Sequence, residues 1–446
     1  HDIKSYTPGQ LLIGTNGLGL LLYDIEKNVF TDFFAAELGL SAEVDIVRVI
    51  TRDSHQNIWV GTDGNGLYKI AYTPDKKPQL QHYTYSGRLP TSLSGNAVYE
   101  LTEDPEGNIW IGTAWNGVNI INPGEDYEFI FSDIRGINPT PVLSVFKDES
   151  TILLGLDGDG LTRYNERKDI VQYFNAKQNS SFPASYVQFI HKDKTSGYWL
   201  GTFTSGLVYF DPQSGLVKQW KHSPSDPGSL PHNDVRYILE DEYNNFWLAS
   251  WGGGLSYFNK EKGVFTTYRS VEQDTNTLGS DVVVGLQRDG DKLWLATFGG
   301  GLNVFDLNTQ TFQRYLHDDS EPASIASNKV FSVLRDSRGF IWVGTSGEGI
   351  NRYDSSTGKF NRFTDQENAR NSIVTAIIED DEGDIWFSTK KGIYSYNYDD
   401  GIISSYPDLS GEFHINAAFK DETGMLYFGG INGVLRFDPA SLHIPA

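Results

Sequence analysis

Short runs of alternating apolar residues follow one another along nearly the whole chain, parted by polar turns rich in Gly, Asn and Asp. Such period-two runs predict β-strands, and nothing of comparable length shows the 3.6-residue period of a helix. Ten times a short apolar strand ends in a small pair such as Gly-Thr, turns on glycine and resumes as a second apolar strand. Clear copies read Asn57-Ile-Trp-Val-Gly-Thr-Asp-Gly-Asn-Gly-Leu67, Asn108-Ile-Trp-Ile-Gly-Thr-Ala-Trp-Asn-Gly-Val118 and Phe340-Ile-Trp-Val-Gly-Thr-Ser-Gly-Glu-Gly-Ile350. Anchored on the Trp slot, the units sit at Leu12, Trp59, Trp110, Leu153, Trp199, Trp247, Trp294, Trp342, Trp386 and Tyr427. A period of roughly 45 residues belongs to propellers or solenoids, whose repeats bury their apolar faces only against neighbours.

One unit shows what is repeated. Val235–Leu239 alternates, and a polar turn leads to Phe246–Ser250; the hairpin Trp251-Gly-Gly-Gly254 gives on to Leu255–Phe258, and Val264–Tyr268 completes the set. Four antiparallel strands make one propeller blade. The small residue after the Trp strand, as at Gly61, Gly112, Gly344 and Gly429, predicts a neighbouring blade too close for a larger side chain. A second glycine at fixed offset, as at Gly66, Gly206 and Gly254, fits a hairpin residue at positive φ. These glycines join two strands and precede no helix, so they do not read as phosphate loops.

The expected fold is therefore all-β, a β-propeller of about ten four-stranded antiparallel blades over residues 1–446, arranged as one closed ring. The alternative is a split at Asn138-Pro-Thr-Pro141, with three blades in 1–138 and a seven-blade ring in 139–446. The first unit keeps four strands and the last shows three, so no spare N-terminal strand is evident to complete the last blade.

Composition narrows the partners. A formal net charge of −22 disfavours nucleic acid and anionic membrane. With no cysteine there is no disulfide, thiolate nucleophile or Cys-ligated zinc. No apolar stretch is long enough to span a bilayer. The start at His1 lacks a leader pattern, which fits either a cytosolic protein or a trimmed chain.

The block [Asn/Asp/Gly]-Ile-Trp-[Val/Ile]-Gly-Thr-x-x-x-Gly, followed by Tyr353-Asp354, Phe210-Asp211 or Phe437-Asp438 and preceded by turns such as Glu103-Asp-Pro-Glu-Gly107 and Glu379-Asp-Asp-Glu-Gly383, resembles the two-component regulator propeller repeat over essentially the whole chain. The resemblance implies a periplasmic, extracytoplasmic sensor region of a bacterial hybrid two-component receptor. It also implies C-terminal immunoglobulin-like and signalling domains beyond this chain, a glycan ligand, and a possible homodimer. Relatives commonly carry two seven-blade rings, which ten units do not supply.

In a propeller the hairpin between second and third strands shares a face with the blade-to-blade connections, and in this chain both are rich. Hairpins carry Trp115, Phe203, Trp251 and Phe298, whose flat rings suit stacking on a sugar or packing on a neighbouring loop. Asn96, Asn233, Asp234, Asp281, Asn328 and Asn371 open the first strands and are candidates to line the channel entrance, or to cap strands. Turn carboxylates such as Asp104, Asp241, Asp336 and Asp380 read as solvated turn formers, and no pair has glycosidase character. His222 and His232 form the one close histidine couple, while Asp157-Gly-Asp-Gly160 and Asp63-Gly-Asn-Gly66 lack the remaining calcium-loop spacing. No catalytic residue, metal site or cofactor is expected. The leading function is thus a non-catalytic sensor of a small glycan or other periplasmic ligand; a propeller lyase or glycosidase and an acidic protein-interaction scaffold are the alternatives.

Overall fold

The computed structural model describes the chain except for residues 39–43, 73–77, 86–91, 106, 122–126, 131–139, 169, 177–181, 195–196, 364–371 and 443–446. Its strands form nine four-stranded sheets and one three-stranded sheet, all with antiparallel pairing inside each repeat. We number the sheets I to X in chain order. The specimen unit, sheet VI, consists of Val235–Glu240, Phe246–Ser250, Gly254–Asn259 and Val264–Tyr268, within a residue of the sequence expectation.

The chain divides into two compact units, His1–Asp126 and Tyr127–Ala446. The first holds sheet I (Asp2–Asp32), sheet II (Val47–Tyr83) and sheet III (Val98–Ile121). They stack through their first strands, Asp2–Ser5 on Val47–Arg52 and that strand on Val98–Glu103. Leu12, Leu22, Val47, Ile50 and Ile58 fill the first seam; Trp59, Leu67, Val98, Ile109 and Ile111 fill the second.

The second unit holds sheet IV (Val142–Phe174), sheet V (Val187–Trp220), sheet VI, sheet VII (Val283–Tyr315), sheet VIII (Val330–Arg362), sheet IX (Val374–Ser410) and sheet X (Phe413–Phe437). Each first strand packs on the next, and that of sheet X packs on those of sheets IX and IV, so the sequence of contacts returns to its start. Seven sheets make this circuit, not the ten of the single ring set out above. The last blade, for which no spare N-terminal strand is evident, is completed by strand exchange all the same: Tyr127–Ile130 pairs with Gly433–Phe437 as the fourth strand of sheet X, in the register Tyr127↔Phe437 to Ile130↔Val434. The donated strand comes from mid-chain, where an N-terminal search does not find it.

The seam between sheets X and IV is packed like an interior one. Phe146 lies 5.0 Å from Phe419, centroid to centroid, and Val142, Val145, Ile152, Tyr427 and Val434 share one cluster. A Cβ on Gly429 would stand 2.9 Å from the Val142 carbonyl oxygen. That close approach is the reason for the small residue.

The Trp slot has a second partner. Trp59, Trp110, Trp199, Trp342 and Trp386 each donate Nε1–H to the aspartate six residues earlier, at 2.7–2.8 Å. In sheet II the same Asp53 also accepts the Asn57 backbone N–H at 2.7 Å, so one carboxylate ties the turn to the indole. Asp53, Asp336 and Asp380 are buried, which corrects the picture of solvated turn formers. A buried carboxylate survives only when its oxygens are satisfied, and here backbone and indole donors do that.

Candidate functional site

In every first strand from sheet IV to sheet IX a β-bulge interrupts the pairing directly after the opening valine, and in sheet II likewise. A bulge leaves one residue unpaired and re-aims its side chain. The bulged residues of the second unit are Leu143, Gln188, Arg236, Val284, Phe331 and Thr375. Sheet X departs from the rule: its pairing jumps from Phe413↔Gly430 to Ala418↔Phe428, so four residues bulge against one. Within that excursion Asn416 holds φ at 56° and donates Nδ2–H to the Val284 carbonyl oxygen of sheet VII at 2.6 Å. Sheets VII and X are not sequential neighbours in the circuit, so this bond crosses the ring interior. Leu143, Val284 and Thr375 are buried, whereas Gln188, Arg236 and Phe331 keep exposed surface.

The hairpins dock beside these bulges. In sheet VI the Gly252 and Gly254 N–H groups both donate to the Asp281 carbonyl oxygen at 2.9 Å, and in sheet VII Gly299 and Gly301 do the same to Asn328. Gly254 sits at φ 75° with the Tyr268 carbonyl oxygen 2.4 Å from where a Cβ would be, so no side chain fits. Trp251 thereby bridges to Val282 and Phe298 to Lys329, across consecutive sheets.

The outcome is an arc of rings and cations over sheets V to VIII. Tyr186 and Phe203 meet at 5.7 Å, Trp251 and Phe298 at 5.7 Å, and Phe298 and Phe331 at 5.6 Å between centroids. Between the two halves lies the Arg236 guanidinium, 4.9 Å from the Trp251 centroid and 5.9 Å from that of Phe203. Lys329 Nζ stands 5.4 Å from the Phe298 centroid. Cations over aromatic faces at these distances are mutually stabilising. Asp234 fixes Arg236 from behind: Nη2 donates to Oδ2 at 2.8 Å and Nε lies 2.7 Å from Oδ1. Burial pushes the Asp234 carboxyl up from its ordinary pKa, against the opposing pull of Arg236.

Of the residues expected at the site, the structure brings Phe203, Trp251 and Phe298 into this arc. Trp115 belongs to sheet III of the first unit, where it is 93% exposed and has no ring partner among the described residues. Asn96, Asn233, Asp281 and Asn328 share one local task. Each accepts, on its side chain, the backbone N–H eleven residues upstream, from Tyr85, His222, Ser270 and His317 at 2.6–2.8 Å. Each also accepts hairpin glycine N–H groups on its carbonyl. They tie the connection loops to the hairpins. Asn371 lies outside the described residues.

Tyr186, Arg236, Lys329 and Phe331 were missed in the sequence. Their signal is the place beside the opening valine of each first strand, where alternation breaks.

Other candidates have local partners. His222 Nδ1 lies 2.9 Å from the Leu230 carbonyl oxygen, and His232 Nδ1 accepts the Asp234 N–H at 3.2 Å. Asp63 is bound by Arg48 Nε at 3.0 Å, and Asp159 accepts the Thr140 hydroxyl at 2.9 Å. Among the described residues no three His, Cys, Asp or Glu side chains are grouped to hold a metal ion.

Four segments, residues 92–115, 229–252, 324–347 and 369–391, match the two component regulator propeller family. The chain carries two component regulator propeller repeats. Each matched segment takes in a first strand and the whole Trp strand that follows it. Solved propellers agree in fold. The extracellular domain named for hybrid two component system BT3049 of B. thetaiotaomicron is 23% identical, with a TM-score of 0.63 over 98% of this chain and 61% of that one. The corresponding domain of BT4673 from the same organism is 19% identical, with a TM-score of 0.61 over 100% of this chain and 58% of that one. The chain thus spans about three fifths of the length of these domains. A catalytically inactive virginiamycin B lyase from Staphylococcus aureus, solved with quinupristin, is 12% identical, with a TM-score of 0.53 over 70% of this chain and 99% of that one. No curated protein matches the chain. No helix among the described residues is long and apolar enough to cross a membrane.

Proposed function

We propose that this propeller is a non-catalytic, ligand-sensing extracytoplasmic module of a bacterial two-component receptor, and that it binds an oligosaccharide on the arc of sheets V to VIII. The observation that carries the reading is the run Tyr186, Phe203, Arg236, Trp251, Phe298 and Phe331, set by bulges and hairpins on four successive sheets. Flat rings presented by a rigid scaffold suit stacking on pyranose faces, and binding alone is what a sensor needs. The likeness in fold to extracellular domains of two component systems supports the setting. A periplasmic location and transmission to further C-terminal domains belong to the same proposal.

The test is a calorimetric and thermal-shift screen against oligosaccharide panels, repeated with the double variant Trp251→Ala/Phe298→Ala. Saturable binding is expected in the native protein and a loss of at least about tenfold in affinity, roughly 1.4 kcal/mol, in the variant. Binding unchanged in a folded variant would move the site elsewhere. The lyase likeness gives the alternative its own outcome: turnover of an oligosaccharide or of quinupristin, detected by mass spectrometry, would replace the sensor with an enzyme.

A further inference from the structure

The chemistry around the rings restricts which saccharide fits. Resting on the saccharide reading of the arc, we infer that the ligand is an acidic oligosaccharide, its rings stacked on Trp251 and Phe298 and its anionic groups met by Arg236 and Lys329. Neutral sugars are held through hydroxyls, which call for carboxylate and amide acceptors at the ring edge. The acceptors that open the first strands beside the rings are already engaged. The side chains of Asn233, Asp281 and Asn328 hold connection loops, and Asp281 also takes Arg269 at 3.1 Å. Asp234 is 1% exposed and turned onto Arg236.

Against the rings themselves stand two cations, while the exposed carboxylates Glu272, Asp319, Glu321 and Glu348 belong to the hairpin and connection loops. Asp234 accepts from Nη2 of Arg236 and lies in ion-pair contact with Nε, which orients the fork while its own charge stays hidden. The remaining Nη1 has only a long contact, 3.4 Å, to Gln188 Oε1, and the Arg236 side chain keeps 21% of its surface. An arginine held from behind by a buried carboxylate and open in front is arranged for a planar anion. Lys329 is exposed and rests on Phe298, and no carboxylate pairs with it among the described residues. In a chain of net charge −22 these two cations flank the two-ring platform on either side. A disaccharide stacked on the platform would bring one acidic substituent near each.

Titration calorimetry on the full chain separates the possibilities with four probes: trigalacturonate, its methyl ester, neutral galactotriose, and a sulfated galactotriose. Acidic probes are expected to bind at least about tenfold more tightly than the neutral pair, with affinity falling as salt rises past physiological strength. The carboxylate and sulfate arms identify which anion the fork accepts. Lys329→Met, at an exposed position, is expected to weaken acidic binding about tenfold and leave neutral binding unmoved; Arg236→Lys keeps the charge on Asp234 but loses the fork, and is expected to weaken it further. Equal binding of acidic and neutral probes, or Lys329→Met without effect, overturns the inference. If Trp251→Ala/Phe298→Ala still abolishes that binding, the saccharide site stands without its acidic preference. Failure of all four probes to bind sinks the acidic inference, and the panel screen above then judges the saccharide reading separately.

Discussion

Sheets III and VIII carry the same block of sequence and opposite surroundings. Trp342 of sheet VIII is 0% exposed, packed with Ile350, Val374, Ile385 and Phe387, the last three supplied by the next sheet. Trp110 of sheet III is 41% exposed, and Val118, Ile120 and Tyr99 are exposed with it. Yet both indoles hold the same turn aspartate at 2.7–2.8 Å. The repeat therefore encodes its own sheet, turn and anchor, while burial of the Trp slot is a property of the pair. Seven sheets closed by a donated strand give every slot a partner in the second unit. Three stacked sheets leave one slot open.

The largest expected effect breaks this comparison at the indole. Trp342→Ala removes a fully buried side chain between two sheets and is expected to cost about 3–5 kcal/mol. Trp110→Ala at the half-open slot loses less apolar burial and is expected to cost about 1–2 kcal/mol. Native-state hydrogen exchange, read separately for the two units, measures both. Equal costs would mean that the indole works through its aspartate bond and not through the neighbouring sheet.

A smaller effect isolates the approach of the next sheet from the burial of the ring. A Cβ on Gly429 would meet the Val142 carbonyl oxygen at 2.9 Å and Val142 Cγ1 at 3.1 Å, both across the closing seam. At the equivalent Gly112 of sheet III the nearest atom is Glu100 Cβ of the same sheet, at 3.4 Å. Gly429→Val is thus expected to destabilise by about 1–3 kcal/mol through overpacking. Among the described residues Gly112→Val meets no second sheet, and its effect is expected within about 0.5 kcal/mol of zero. Denaturant midpoints of the two variants against the native chain are the measurement.

The repeat was legible because it is local. The Trp strand, the small residue, the hairpin glycine and the four-strand blade all lie within one unit, and each appears where alternation and spacing place it. Closure was not legible, because Tyr127–Ile130 carries no mark distinguishing a fourth strand of its own unit from one donated to Gly433–Phe437. The arc was legible in its hairpin aromatics, Phe203, Trp251 and Phe298, since a ring in a tight turn stands out in sequence. Arg236 and Phe331 were hidden in strands, where only the bulge after the valine turns them outward. Asn233, Asp281 and Asn328 take the capping role offered beside the binding one, because a polar side chain that opens a strand lies within reach of a loop N–H.

The smallest effect concerns pH and again separates the closed unit from the open one. At the seam of sheets X and IV, Lys147 Nζ donates to the Tyr427 hydroxyl at 2.9 Å and lies 3.2 Å from both Asp421 and Glu166. Burial pushes the Asp421 carboxyl up, but hydrogen bonds from Thr423, Tyr427 and Lys147 outweigh it and hold it below its usual value. Burial likewise pulls Lys147 down, and its bond to Tyr427 with the charges of Glu166 and Asp421 outweighs that and holds it up. A depressed acid stabilises the fold above its unfolded pKa, about 3.9, and loses that contribution as pH falls through the folded value; a raised lysine stabilises below about 10.4 and loses it as pH climbs through the folded value. The seam is thus expected to be firmest between those limits. Asp421→Asn should remove the acid limb of that profile for residues of sheets IV and X, while exchange in sheets I to III keeps its native pH dependence. An acid limb unchanged in the variant would assign it to other carboxylates and leave the seam held by its apolar cluster alone.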